Sequence, residues 1–317
     1  MSALCSCGVS LQNTGVPGCV PIFGVTKQLI LVPLIANDGT ENSIDPNDTL
    51  DSAYFTALIN NADDSKRWYP TGAMKNVTGE RADPLMETFE DGSKVFIRQG
   101  VRNFSAMLLK GGPELLSQLN SNRCSSFGVY MVDANGSIYG KVKSDGNLYP
   151  IEVQAASFYG KLVFTTDTTI QKIMLAFEFG VDEKDEDLRM ILASSITGIN
   201  LSSASGLINT YVKVVTCGQT SLVIDVYNKY GDFINGSPVE GLLVADFASS
   251  VTGTGSKIRN TTDGADVTIT SVTESTTQAG RYTLAYTSQT VADELQPYVK
   301  KNGLDGTTML GTVATVV

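Results

Sequence analysis

FGVYMVDANGSIYGKVKSDGNLYPIEV, residues 127–153, decides the fold. Asn135-Gly136 and Asp145-Gly146 cut it into three short runs rich in Val, Ile and Tyr. Asn-Gly and Asp-Gly accept the positive φ angles that two-residue hairpin loops demand, so the stretch reads as a three-stranded meander. The rest of the chain agrees with a mainly β protein. It has 30 Gly among 317 residues, few long helical patterns, and an apolar fraction of 42%, enough for a real core.

Upstream, Glu90-Asp91-Gly92-Ser93 separates PLMETF from KVFIRQGVRNFSAMLL, a hairpin signal. Pro113 then opens a short amphipathic helix through ELLSQLN. Earlier still, QLILVPLIA (28–36) reads as the first strand, either in a buried pair or at an edge. Asp48 or Thr49 is placed to cap a helix through SAYFTALINNA, with Tyr54, Leu58 and Ile59 on one side. Downstream, 161–179 alternates as two strands around Thr168-Thr169. VDEKDEDLRMILASSI is expected as a helix whose acidic first turn suits the helix dipole, with Leu188, Ile191, Leu192 and Ser195 inward. Near residue 216 the character changes to short alternating strands at regular spacing, which predicts a β-sandwich without the Cys…Trp…Cys pattern of antibody domains. The expected organisation is an irregular arm (1–27), a β domain with short flanking helices (28–215) and a C-terminal sandwich (216–317).

Composition excludes several chemistries. The chain has no histidine, which removes Ser-His-Asp and Cys-His nucleophile systems and histidine-ligated zinc. A net charge of −10 opposes binding to nucleic-acid phosphates. Cys5, Cys7, Cys19, Cys124 and Cys217 are odd in number and scattered, a poor disulfide framework, and the first three lack a fourth metal ligand nearby. The start carries no positive n-region, so no secretion signal is expected, and QLILVPLIA is too short to span a bilayer. Carboxylates remain the one candidate chemistry. Glu87, Glu90 and Asp91 flank a turn, and five acids lie within 182–187 without the ligand pattern of a calcium loop. Turn formation and solvation explain both groups better than catalysis. No phosphate loop or nucleophile elbow occurs, and no cofactor or metal is expected.

The stretch 94–104 points to a different role. If the strand is regular, Lys94, Phe96, Arg98, Gly100, Arg102 and Phe104 share one face, and Val95, Ile97, Gln99, Val101 and Asn103 share the other. The second face suits a core. The first sets two arginines among phenylalanines, a composition enriched at protein interfaces, though a solvated face would look the same. Phe96, Arg98, Arg102 and Phe104 are therefore the candidate subunit-interface residues.

The run RWYPTGAMKNVTGERADPLMETFEDGSKVFIRQGVRNFSAMLLKG (67–111), with FGVYMVDANGSIYG after it, resembles tailed-bacteriophage virion proteins of the tail-tube type. VYNKYGDFINGSPVEGLLVADF and AGRYTLAYTS are similar to the Ig-like modules appended to phage tail and capsid proteins. The resemblance implies a non-enzymatic virion subunit with a sandwich or barrel, a flanking helix and a long hairpin. It implies self-assembly into stacked hexameric rings, contact with other tail or neck proteins, and a channel that DNA passes without specific binding. A capsid decoration, head–tail connector or fibre-anchor protein with an exposed Ig-like domain is the alternative.

Overall fold

The computed structural model describes residues 13–17, 20–232, 234, 236–247, 255–301, 303–306 and 313–317. Cys5, Cys7 and Cys19 lie outside the described residues. The protein is mainly β, with several antiparallel sheets and, among the described residues, two short α-helices, and none of its described sheets closes into a barrel.

Two sheets form the N-terminal unit. In the first, the strands run in the order Leu188–Ile191, Ile138–Val142, Phe127–Asp133, Thr26–Pro33, Tyr69–Pro70. The turns at Gly136 and Gly146 take positive φ (96° and 87°), as the meander requires. Thr26–Pro33 is a central strand, packed on both faces, which explains its unbroken apolar run. Leu29 and Leu31 face the second sheet, while Ile30 and Val32 face Phe55 and Ile59 of the Ser52–Ile59 helix and Trp68. That helix is capped by Asp51, whose carboxylate accepts the Tyr54 amide at 2.8 Å, and not by Asp48 or Thr49. The second sheet runs Tyr159–Val163, Lys172–Glu178, Asn103–Leu108, Met74–Thr78. Its inner face carries Phe104, Leu108, Ile173, Leu175 and Phe177; the Phe104 and Phe177 rings stack at 4.9 Å. Pro113 sits in the first turn of the Gly112–Ser121 helix, as expected.

Residues 181–196 are not a helix. A 3-10 turn, Asp185–Asp187, leads into the strand Leu188–Ile191, which pairs with Ile138–Val142. Edge pairing to an existing sheet overrides the local helical pattern. The acids serve as partners elsewhere: the buried Glu183 carboxylate accepts from Lys141 and from the Glu152 amide.

The C-terminal unit is a two-layer sandwich around one core. One sheet runs Tyr211–Cys217, Ser221–Asp232, Arg281–Tyr286, Ile269–Glu274; the other runs Asp266–Val267, Lys257–Asn260, Glu294–Tyr298, Ala314–Thr315. Leu222, Ile224, Tyr282 and Leu284 of the first meet Ile258 and Leu295 of the second. The sandwich begins at Tyr211, so the boundary expected at 215/216 cuts through a paired strand. Between the units, Ile208–Asn209 pairs in parallel with Leu304–Asp305, and Arg67 Nη1 donates to Asp305 Oδ2 at 2.8 Å in a nearly dry setting. The described arm residues before Thr26 lie outside the sheets, but Phe23 packs edge-on to Tyr139, and the Gly24 amide donates to the Tyr139 hydroxyl at 2.8 Å.

Candidate assembly interface

Met74–Thr78 and Asn103–Leu108 belong to the second sheet, but the chain between them leaves it as one long hairpin. Its neck is irregular: Arg81 bridges Arg102, the Ala82 amide donates to Val101 at 2.9 Å, and the Asn103 amide donates to Glu80 at 2.8 Å. Its distal part, Leu85–Thr88 paired with Lys94–Arg98, is a separate two-stranded sheet. At about 3.3 Å per residue it extends roughly 15 Å from Leu85 to the turn at Glu90-Asp91. Gly92 closes that turn at φ 79°, and Asp91 Oδ1 accepts from the Ser93 amide and hydroxyl. The Ser93 hydroxyl and then its amide hold the Asp91 carboxyl below the usual range. The expected hairpin and its turn are thus present, with Asp91 as a turn residue.

Both faces of the distal hairpin are open. Met86 stands opposite Phe96 and Glu87 opposite Val95. Leu85, Met86, Phe89, Phe96 and Ile97 are all 44–54% exposed. A lone two-stranded hairpin is marginal in water, and apolar side chains on both its faces favour a covering partner.

The regular-strand expectation for 94–104 fails at the neck. A Cβ at Gly100 would overlap the Ala82 carbonyl, so the backbones cross there closely, and residues 99–101 lie outside any strand. Beyond the crossing the chain enters the second sheet, where Phe104 points inward and is 3% exposed; it is a core residue and not an interface residue. Val95 and Ile97, expected in the core, lie on the open hairpin. Phe96 and Arg98 are exposed as expected. Arg102 belongs to the neck: its Nη2 donates to Asp185 Oδ1 at 2.8 Å. Arg81 grips the same carboxylate through Nε at 3.1 Å and Nη2 at 2.8 Å, and its Nη1 donates to Gly100 O at 2.7 Å. Partial burial raises the Asp185 carboxyl, but the two guanidiniums outweigh it and leave it below its ordinary value. This clamp ties the neck to the 3-10 turn some hundred residues on. Sequence reasoning missed it because nothing in the local spacing of Arg81 or Asp185 marks a contact so distant in the chain.

No group of three or more metal-ligating side chains comes together among the described residues. No helix among them is long and apolar enough to cross a membrane. No protein-family model matches the chain, and no curated protein matches it.

Proposed function

We propose that the chain is a structural, non-enzymatic subunit of a tailed-bacteriophage virion that self-assembles into rings or a tube around the DNA passage. The preferred reading is a hexameric tail tube. The observation that carries it is the distal 85–98 hairpin, open on both faces, with five exposed apolar side chains and anchored at its neck by the Arg81–Asp185–Arg102 clamp. Such a hairpin is built to be covered by a neighbouring subunit. The acidic balance, net −10, supports a wall past which DNA slides without adhering. The C-terminal sandwich, read as Ig-like, projects outward and meets other virion components. Sedimentation velocity and negative-stain microscopy of the purified protein test this. Rings or tubes are expected; a protein that stays monomeric across the accessible concentration range refutes it. Antibody labelling of the sandwich on virions distinguishes tail from head.

A further inference from the structure

The second sheet of the N-terminal unit has an outer face that no other layer covers among the described residues, and its two ends differ. The hairpin leaves at the Asn103 end. At the opposite end, about 13 Å along the Asn103–Leu108 strand, one cross-strand row reads Lys75, Met107, Met174, Lys161. Residues directly opposite one another on paired strands share a face, so the two methionines lie between two lysines. Lys172 pairs with Val163 one step further out on the same face, and Lys110 follows the end of the central strand. Leu109, Phe164 and Ile170 are exposed on this rim at 43%, 75% and 62%.

Charge sets this end apart. Four lysines gather here in a chain of net charge −10, with Asp167 and Glu114 as the nearby acids. None of the four has an ion-pair partner among the described residues. The hairpin tip is the converse. Between 87 and 94 it carries Glu87, Glu90 and Asp91 against Lys94, again without ion pairs among the described residues, beside exposed Met86, Phe89 and Phe96. Each surface combines exposed apolar side chains with unpaired charge, and the signs are opposite.

We infer that the lysine- and methionine-bearing end of this sheet is the receptor for the acidic hairpin tip of a second copy of the same chain. The two surfaces lie at opposite ends of one sheet, so the contact is head-to-tail and leaves a free hairpin and a free receptor on every pair. Such a contact repeats until it closes into a ring or extends as a filament. The inference rests on the assembly proposed above and specifies its two halves.

The test uses full-length variants carrying Glu87→Lys with Glu90→Lys, or Lys161→Glu with Lys172→Glu. Either pair sets like charges against each other in every homotypic contact. The concentration for half-assembly is expected to rise at least about tenfold in low salt, and the loss is expected to shrink as salt screens the surfaces. Mixed in equal amounts, the two variants are expected to co-assemble, because each reversed hairpin meets a reversed receptor. Circular dichroism checks that each is folded, and recovery on mixing shows it independently. If wild type assembles but the variants assemble equally well, or if mixing rescues nothing, the receptor assignment is wrong while self-assembly stands. If wild type never assembles, both fall.

Discussion

Replacing Asp185 with asparagine removes the charge that two guanidiniums share at the hairpin neck. Arg81 donates two hydrogen bonds to this carboxylate and Arg102 one. The arginine side chains are 16% and 27% exposed, but Asp185 is 45% exposed, so water screens the attraction. Exposed pairs contribute roughly 0.2–1 kcal/mol each, and the two-pronged Arg81 contact belongs at the upper end. Arg81 retains its bonds to Gly100 O and Glu183 O in the variant, so part of the neck survives. The expected cost is about 1–2 kcal/mol, a factor of roughly 5–30 in the neck's opening equilibrium. Amide hydrogen exchange reads this directly. The Ala82 and Asn103 amides, which close the neck, should exchange faster by that factor. The Val226 amide, bonded to Gly280 O in the sandwich, should not change. Unchanged neck amides would show that the clamp carries no load; an equal rise at Val226 would show that the loss is global.

The same carboxylate gives the clamp a pH dependence. Its folded value lies below the ordinary carboxylate value near 4, so its contribution is complete above that value and is lost as pH falls through the lowered one. Neck-amide protection in wild type should converge on that of Asp185→Asn at acid pH, and a constant gap would refute the assignment. Asp305→Asn should cost about 3–5 kcal/mol by stranding the buried Arg67, read as a lower denaturant midpoint, whereas Arg67→Met with Asp305→Leu should cost much less. Arg98→Ala should leave stability within about 0.5 kcal/mol and weaken assembly by removing the exposed guanidinium's own contact, without adding negative charge that the lysine end would attract. Arg102→Glu is expected to loosen the neck by setting a second carboxylate against Asp185, so it confounds folding with assembly. An Arg98→Ala protein that assembles like wild type removes Arg98 from the interface.

Turn chemistry made much of the fold legible. Asp-Gly and Asn-Gly act locally, so the hairpin at 85–98, the meander at 127–153 and the sandwich strands are readable from short windows. Pro113 marks its helix for the same reason. Features set by distant partners were not legible. The acidic run at 182–187 has the composition of a helix start, yet Glu183 and Asp185 are spent on Lys141, Arg81 and Arg102, and the following residues add a strand to a sheet edge. Strand alternation predicts faces only while the strand is unbroken. The strand breaks at the close crossing at Gly100 and its distal part leaves the sheet, so the phenylalanines at 96 and 104, eight residues apart and nominally on one face, divide between an open hairpin and a core.

An open hairpin is a hazard as well as a tool. Unpaired strand edges with apolar side chains invite indiscriminate pairing, and proteins limit this with charge and irregularity. Both devices are present. A bulge between Leu85 and Met86 interrupts the ladder, and Glu87, Lys94 and Arg98 interleave with the apolar residues. These features penalise flat, in-register stacking of hairpin on hairpin, since identical copies would align like charges. They do not penalise docking on a surface of opposite charge. The lysines at the far end of the second sheet supply such a surface on the same molecule, so the charges that forbid in-register stacking favour the proposed contact. A variant with Glu87, Glu90 and Lys94 all changed to serine tests this directly. It should lose ordered assembly and gain amorphous precipitation, seen as turbidity without rings or tubes. Ordered assembly at the wild-type concentration would show that shape alone selects the contact.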